Sequence, residues 1–208
     1  MIQSQSQSVS FDEFIEWYPE NSEHRYELHR GVIIEMPKPR GKHSEIAGFL
    51  SYKLNTAIDT QNLNYFIPKE CVVKPFREES GYEPDLIILD RLSLEDEPRW
   101  ETGSIITLGS SIRLIVEVVS TNWRNDYFLK AGDYEEMGIA EYWIVDYLGL
   151  GSRRFIGNPK RPTISIHQLV EDEYMVTQYR GNELIQSSAL PELSLTAEQI
   201  FQASRFGS

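Results

Sequence analysis

The hydrophobic pattern is strongest between Ile112 and Tyr147. Ile112 to Val119 is apolar on both faces, as a central strand covered on both sides is, and it carries one acid, Glu117. Ser120-Thr121-Asn122 reads as a turn. From about Arg124 to Met137 the spacing becomes helical, with Tyr127, Ala131 and Tyr134 on the buried face and Gly138 as the stop. Glu141 to Asp146 is a second strand, with Tyr142 and Trp143 in the core. This order predicts a crossover unit whose two strands share one sheet.

The segments before this unit are readable in the same way. Ser10 and Glu13 have the spacing of a capping box, and Phe11, Phe14, Ile15 and Tyr18 fall on one helical face before Pro19. Tyr26 to Met36 predicts a hairpin turning at Arg30-Gly31. His43 to Ile58 predicts a long helix, with Ile46, Phe49, Leu50, Leu54 and Ala57 at helical spacing and His43 and Glu45 in its first turn. One or two strands are expected in Tyr65 to Val73, and Pro84 to Leu89 is a strand entered through a proline. Residues 91 to 109 are polar and irregular.

After the crossover unit, Arg153 to Tyr179 reads as strands with turns at Gly157-Asn158-Pro159 and Glu171-Asp172. A short helix capped by Thr196 follows. The expected fold class is α+β, α/β/α-like. One domain over residues 11–208 has a mixed sheet, a long helix on each face and an appended β-meander, and a polar, mobile tail occupies 1–10.

Charge and composition narrow the function classes. The 208 residues suffice for one substantial core. Twenty basic and 32 acidic residues give a net charge of −12 without any basic run, which argues against a general nucleic-acid or membrane binder. A local basic groove or bound cations still let an acidic protein engage DNA. No stretch approaches the length of a membrane span, and the polar N-terminus lacks the features of a secretory signal. The lone cysteine, Cys71, reads as buried filler and excludes an intramolecular disulfide, which fits a reducing, cytoplasmic setting.

Two acids stand out because they lie in apolar strands. Asp85 shares a face with Ile87 and Leu89, and Glu117 with Ile115 and Val119. If the strands are neighbours, the carboxylates converge, and convergent hard oxygen ligands suit Mg²⁺, Mn²⁺ or Ca²⁺. Lys130, on the helix after Glu117, is the lysine available to stabilise developing negative charge or to orient a water. Spacing alone favours a surface ion pair between Asp126 and Lys130, four apart, over a catalytic role, and a capping or packing role for His43 over that of a ligand.

The series YELHRGVIIEM, His43, PDLIILD, LIVEVVS, Asp126, Lys130, Tyr134, Gly138, Glu141-Tyr142-Trp143 and Asp146 resembles the Uma-type family of restriction-endonuclease-like proteins over about Phe11 to Phe201. That family is placed in the PD-(D/E)xK nuclease superfamily. The resemblance implies a mixed sheet flanked by helices and a Mg²⁺- or Mn²⁺-dependent DNA endonuclease. It assigns Asp85 to the PD element and Glu117 to the acid of (D/E)xK. The carbonyl of Val118 is a further metal ligand on this reading. The lysine expected two residues after Glu117 is replaced by Val119, and the Uma-type pattern supplies Lys130 instead. Glu45 is the candidate for an additional helix acid, with His43 and Asp126 as accessory residues.

Three functions compete. The first is a metal-dependent endonuclease acting on DNA, for which a homodimer would suit double-strand cutting. The second is a nuclease-fold module that has lost catalysis and binds nucleic acid or a protein partner, favoured by the acidic charge and by Val119. The third is a metal-dependent phosphoesterase with a smaller substrate. Fold analogy does not separate them.

Overall fold

Period-two alternation along three strands decides the architecture. Leu86 and Ile88, Leu114, Val116 and Val118, and Trp143 and Val145 pack on one side of a sheet; Ile87 and Leu89, Ile115 and Val119, and Tyr142 and Ile144 pack on the other. The sheet is therefore buried on both faces and needs a layer on each. The computed structural model describes residues 8–19, 23–76 and 79–203 and shows those layers.

Helix α1 (Phe11–Trp17) leads into the hairpin β1 (Arg25–His29) and β2 (Val32–Met36), and the long helix α2 (Gly41–Thr60) follows. Next come β3 (Tyr65–Phe66), β4 (Val72–Val73), β5 (Leu86–Asp90), the short α3 (Trp100–Gly103), β6 (Ile105–Ile106) and β7 (Ile112–Val118). A π-helical turn, Asn125–Lys130, runs into α4 (Ala131–Glu136), and β8 (Glu141–Asp146) closes the crossover. The chain continues as α5 (Arg153–Ile156), β9 (Thr163–Val170), β10 (Glu173–Tyr179) and α6 (Ala197–Gln202).

The main sheet has six strands in the order β10-β9-β8-β7-β5-β3. Only β7 and β8 pair in parallel; the other pairs are antiparallel. Helix α2 covers one face through Ile46, Leu50, Leu54 and Ile58, and the segment from Tyr127 to Ile139 covers the other through Tyr127, Tyr134 and Met137. The expected crossover unit, mixed sheet and helix on each face are all present. The β-meander is not a separate appendage: β9 pairs along the whole of β8, so β9 and β10 extend the main sheet.

Other expectations need adjustment. Part of the predicted strand region, Arg153–Ile156, is helical instead. Helix α2 begins at Gly41, which moves Glu45 beyond its first turn. The tail expected at 1–10 lies outside the described residues for 1–7. Val9 is tied to the hairpin by its N–H to the Gly31 carbonyl (2.9 Å), and Ser10 and Glu13 complete the capping box of α1. Cys71 is buried, and burial pushes its thiol up to about 12, as expected of filler. Among the described residues no helix is long and apolar enough to cross a membrane.

Two acids of the crossover unit are structural. Glu141 is fully buried and accepts from Trp143 Nε1 (2.6 Å), Ser187 Oγ (2.6 Å), Ser188 Oγ (2.6 Å) and the Ala189 N–H (3.3 Å). It thereby clamps the segment leading to α6 onto the sheet. Removing a buried charged acceptor strands several donors, so Glu141→Ala is expected to cost about 3 kcal/mol, read as a lower urea midpoint at unchanged m-value. An unmoved midpoint would show that the clamp is dispensable. Asp146 accepts from the N–H groups of Leu150 (2.9 Å) and Gly151 (2.8 Å), folding the loop after β8 back on itself.

Candidate active site

Antiparallel register brings the two acids together. β5 pairs with β7 through Leu86↔Val116, so Asp85, one step earlier, stands across from Glu117, one step later. Directly opposed residues share a sheet face. The Val118 N–H donates to Asp85 Oδ2 (2.8 Å), locking the loop before β5 to the end of β7. His43, on the inward face of α2, places Nε2 3.2 Å from the same oxygen, and Arg25 Nη1 lies 3.7 Å from Asp85 Oδ1.

Lys130 enters from the opposite layer. It is 2% exposed, and its Nζ donates to Glu117 Oε1 (2.9 Å) and to Glu27 Oε1 (2.9 Å). The Tyr134 hydroxyl also reaches Glu117 Oε1 (3.4 Å). The surface ion pair is thus excluded. Asp126 and Lys130 are both buried and share no hydrogen bond, because the helix between them is π-wound and its wider turn breaks the alignment of positions four apart. The groups that hold the ammonium are Glu117 and Glu27 from β1, not Asp126. Val119, 1% exposed, adds an apolar side chain to the wall of the site.

Glu27 is missing from the sequence-based candidates. In RYELH, Arg25, Glu27 and His29 alternate with Tyr26 and Leu28, which puts three ionisable side chains on one hairpin face. That alternation is visible in the sequence; what that face covers is not. Leu28 exchanges backbone hydrogen bonds with Gly81 (2.9 and 2.8 Å), which fixes the hairpin beside β4 and β5. A Cβ at Gly81 would lie 2.8 Å from the Phe11 ring, so only glycine allows this approach. Glu27 then accepts from the Glu83 N–H (3.1 Å), and its second oxygen meets His29 Nε2 at 2.8 Å.

Glu45 does not join the cluster. His43, Ile46, Leu50 and Leu54 share the buried face of α2, and Glu45, about 200° round the helix from His43, is exposed. Val118 contributes backbone on both sides: its N–H holds Asp85, and its carbonyl lies close enough to His43 to favour the protonated ring.

Charge sharing sets the protonation of the cluster. Burial raises Glu117 to about 7, and the neighbouring Asp85 and Glu27 charges add to this against the pull of Lys130. Burial acts on Glu27 in the same sense, but Lys130 and His29 outweigh it and hold Glu27 near 2. The ammonium bridges the two carboxylates, and Glu27 is the more firmly ionised of them. Burial would lower Lys130, yet Glu117, Glu27 and Asp126 keep it well above its ordinary value. Burial also raises Asp126 well above the carboxylate range. For His43, the Asp85 carboxylate overcomes burial and raises the ring.

These side chains line one cleft of about 180 Å³. One lip is the loop Met36–Arg40 after the hairpin, with Lys38 and Arg40; the other is formed by residues 120–122 after β7 and 147–150 after β8. Opening at the C-terminal ends of a parallel strand pair, it lies where open α/β sheets place their ligands.

Among the described residues no group of three or more His, Cys, Asp and Glu is arranged as a metal cage. Mg²⁺ does not need one: it keeps most of its waters and takes one or two carboxylates. Among the described residues Glu117 Oε2 makes no hydrogen bond, and Asp85 Oδ1 has only the 3.7 Å ion pair with Arg25. Hard oxygens from two opposed strands fit a divalent cation of this kind.

The architecture is α+β, a mixed sheet flanked by helices with the cleft at the end of its parallel pair. A crystal structure from Anabaena variabilis, described as a putative nuclease belonging to DUF820, matches with a TM-score of 0.71 over 94% of this chain and 99% of that one. The two share 19% sequence identity, so the likeness is one of fold. The chain belongs to the Uma2 family, whose description is "Putative restriction endonuclease" and whose model matches residues 11–198. No curated protein matches the sequence.

Proposed function

We propose that the protein is a Mg²⁺- or Mn²⁺-dependent DNA endonuclease of the PD-(D/E)xK type, with its lysine supplied by the helix after the second acid. The observation that carries this reading is the Lys130 ammonium 2.9 Å from Glu117, which stands across the strand pair from Asp85 in one cleft. Asp85, Glu117 and the Val118 carbonyl would hold the cation. When bound, it would supply Lewis-acid stabilisation of the phosphate.

The chain's own groups do the remaining work. The Val118 N–H, His43 and Arg25 fix the Asp85 carboxylate, so its orientation is set before substrate arrives. Lys130 offers a buried, permanently charged donor toward a phosphoryl oxygen or an attacking water, and Glu27 holds it there. Lys38 and Arg40 on the lip give the otherwise acidic protein local positive charge for the phosphate backbone.

The experiment is cleavage of plasmid and oligonucleotide DNA with Mg²⁺, with Mn²⁺ and with EDTA. Nicked or linear product is expected only with metal. Product in EDTA would overturn the metal-dependent reading, and stable DNA binding without product under every condition would favour the module that has lost catalysis. That second reading draws its support from the sharing of Lys130 with Glu27.

A further inference from the structure

A patch of rings and arginines lies just outside the cleft, and none of the chemistry above uses it. Trp123, Phe128 and Phe155 contact one another, with centroids 6.4 Å apart for Trp123–Phe128, 6.5 Å for Trp123–Phe155 and 4.7 Å for Phe128–Phe155. Tyr127 stacks beneath Phe155 at 4.7 Å and anchors the group to the core. Phe128 is 52% exposed, a large apolar surface to leave in water. The Arg124 guanidinium lies 4.6 Å from the centre of the Trp123 ring and that of Arg154 5.7 Å from Phe155.

Charge is concentrated here against the trend of the chain. Residues 147–170 contain Arg153, Arg154, Lys160 and Arg161 and no acid, in a protein of net charge −12. All four are exposed, as is Arg124. The patch is continuous with the cleft. Asn122 and Asn125, which bracket Trp123 and Arg124, line it, and Lys160 donates to the carbonyl of Leu150, also a lining residue (3.1 Å).

We propose that this surface binds unpaired nucleotides of a nucleic-acid strand that runs into the cleft. Partly exposed rings offer stacking faces to bases, and interleaved arginines neutralise phosphates; single-strand binders combine these two features. A fully paired duplex has no free base faces to present. The proposal rests on the nuclease reading for the identity of the adjoining cleft, and it narrows the substrate to nucleic acid with a single-stranded segment.

The test is fluorescence anisotropy of the full chain in EDTA with labelled oligothymidine and with a blunt duplex, over a salt series. Phe128→Ala is expected to weaken oligothymidine binding about tenfold and duplex binding less than about twofold, with its salt slope unchanged. The double substitution Arg153→Gln with Arg154→Gln should reduce the single-strand salt slope by about 1.4, two lost phosphate contacts. Circular dichroism of both variants checks folding, and their exposure makes loss of the fold unexpected. No binding by the wild type, or equal affinities for all variants, would overturn the platform. So would a fall in solution mass on Phe128→Ala, which would make the face a contact between copies of the chain. Ring-dependent binding without metal-dependent cleavage would leave the platform standing and remove the nuclease reading. Cleavage with unaltered binding in the variants would do the reverse.

Discussion

Lys130→Met should abolish cleavage and lower stability together, and adding Glu27→Gln should restore much of the stability and none of the activity. Methionine keeps the length and most of the bulk of the buried stem but deletes the charge. Glu27 is then a buried carboxylate, 1% exposed, deprived of the cation that keeps it ionised near 2. Breaking one side of a buried ion pair costs about 3–5 kcal/mol. The lower end applies here, because His29 still contacts Glu27 at 2.8 Å and Glu117, near 7, can take up a proton. About 3 kcal/mol corresponds to roughly 6–12 °C in melting temperature for a chain of this size.

The glutamine introduced in the double variant retains a carbonyl for the Glu83 N–H and carries no charge, so at least half of the lost stability should return. A purely structural lysine predicts something else: cleavage, measured well below the melting transition, would survive in the double variant. Activity there within tenfold of wild type would exclude Lys130 from the chemistry. Lys130→Arg should not rescue it, since a planar guanidinium cannot fit between two carboxylates that each lie 2.9 Å from a compact ammonium.

What the sequence made legible follows from what periodicity can encode. The faces of β5, β7 and β8 were readable because alternation is a local property, and the same parity placed Asp85 with Ile87 and Leu89, and Glu117 with Ile115 and Val119. The β5–β7 neighbourhood was only a condition in the sequence; the register Leu86↔Val116 meets it. Lys130 was readable as a candidate from the family pattern, but its partner was not. The π-wound turn between Asn125 and Lys130 leaves no mark in a 3.6-residue pattern, and it is this winding that separates Lys130 from Asp126.

Glu27 escaped for a different reason. It lies 103 residues from Lys130 in sequence, on a hairpin outside the main sheet, and it reaches the site through long-range contacts of that hairpin such as Leu28 with Gly81. Glu45 came from the superfamily resemblance; the helical spacing of His43, Ile46, Leu50 and Leu54 turns it off the buried face wherever the helix begins. Long-range docking is the information that a single sequence carries least directly.

Glu117→Gln should reduce metal-dependent cleavage by at least about a thousandfold while changing stability in a pH-dependent way, and the sign can be worked out. Folding raises Glu117 from its ordinary 4.5 to about 7. Native protein therefore holds a proton that the unfolded chain has released between those values, and wild-type stability falls as pH rises through that window, then levels off above about 7. Glutamine has nothing to ionise and escapes this loss. In EDTA, the melting temperature of Glu117→Gln relative to wild type should accordingly be least favourable near pH 5, become more favourable up to about pH 7 and level off above it. A difference that stays flat across that range would mean that Glu117 is already ionised at low pH, with Lys130 serving it rather than Glu27. Metal then provides an independent reading. A cation that binds only the native state at a hundredfold excess over its Kd adds about 2.7 kcal/mol, so Mg²⁺ should raise the wild-type melting temperature by roughly 5–10 °C. Glu117→Gln should show a small fraction of that shift, and Asp85→Asn likewise, because each removes one of the two opposed carboxylates. Equal Mg²⁺ shifts in all three proteins would place the cation elsewhere and leave Asp85 and Glu117 as a structural pair.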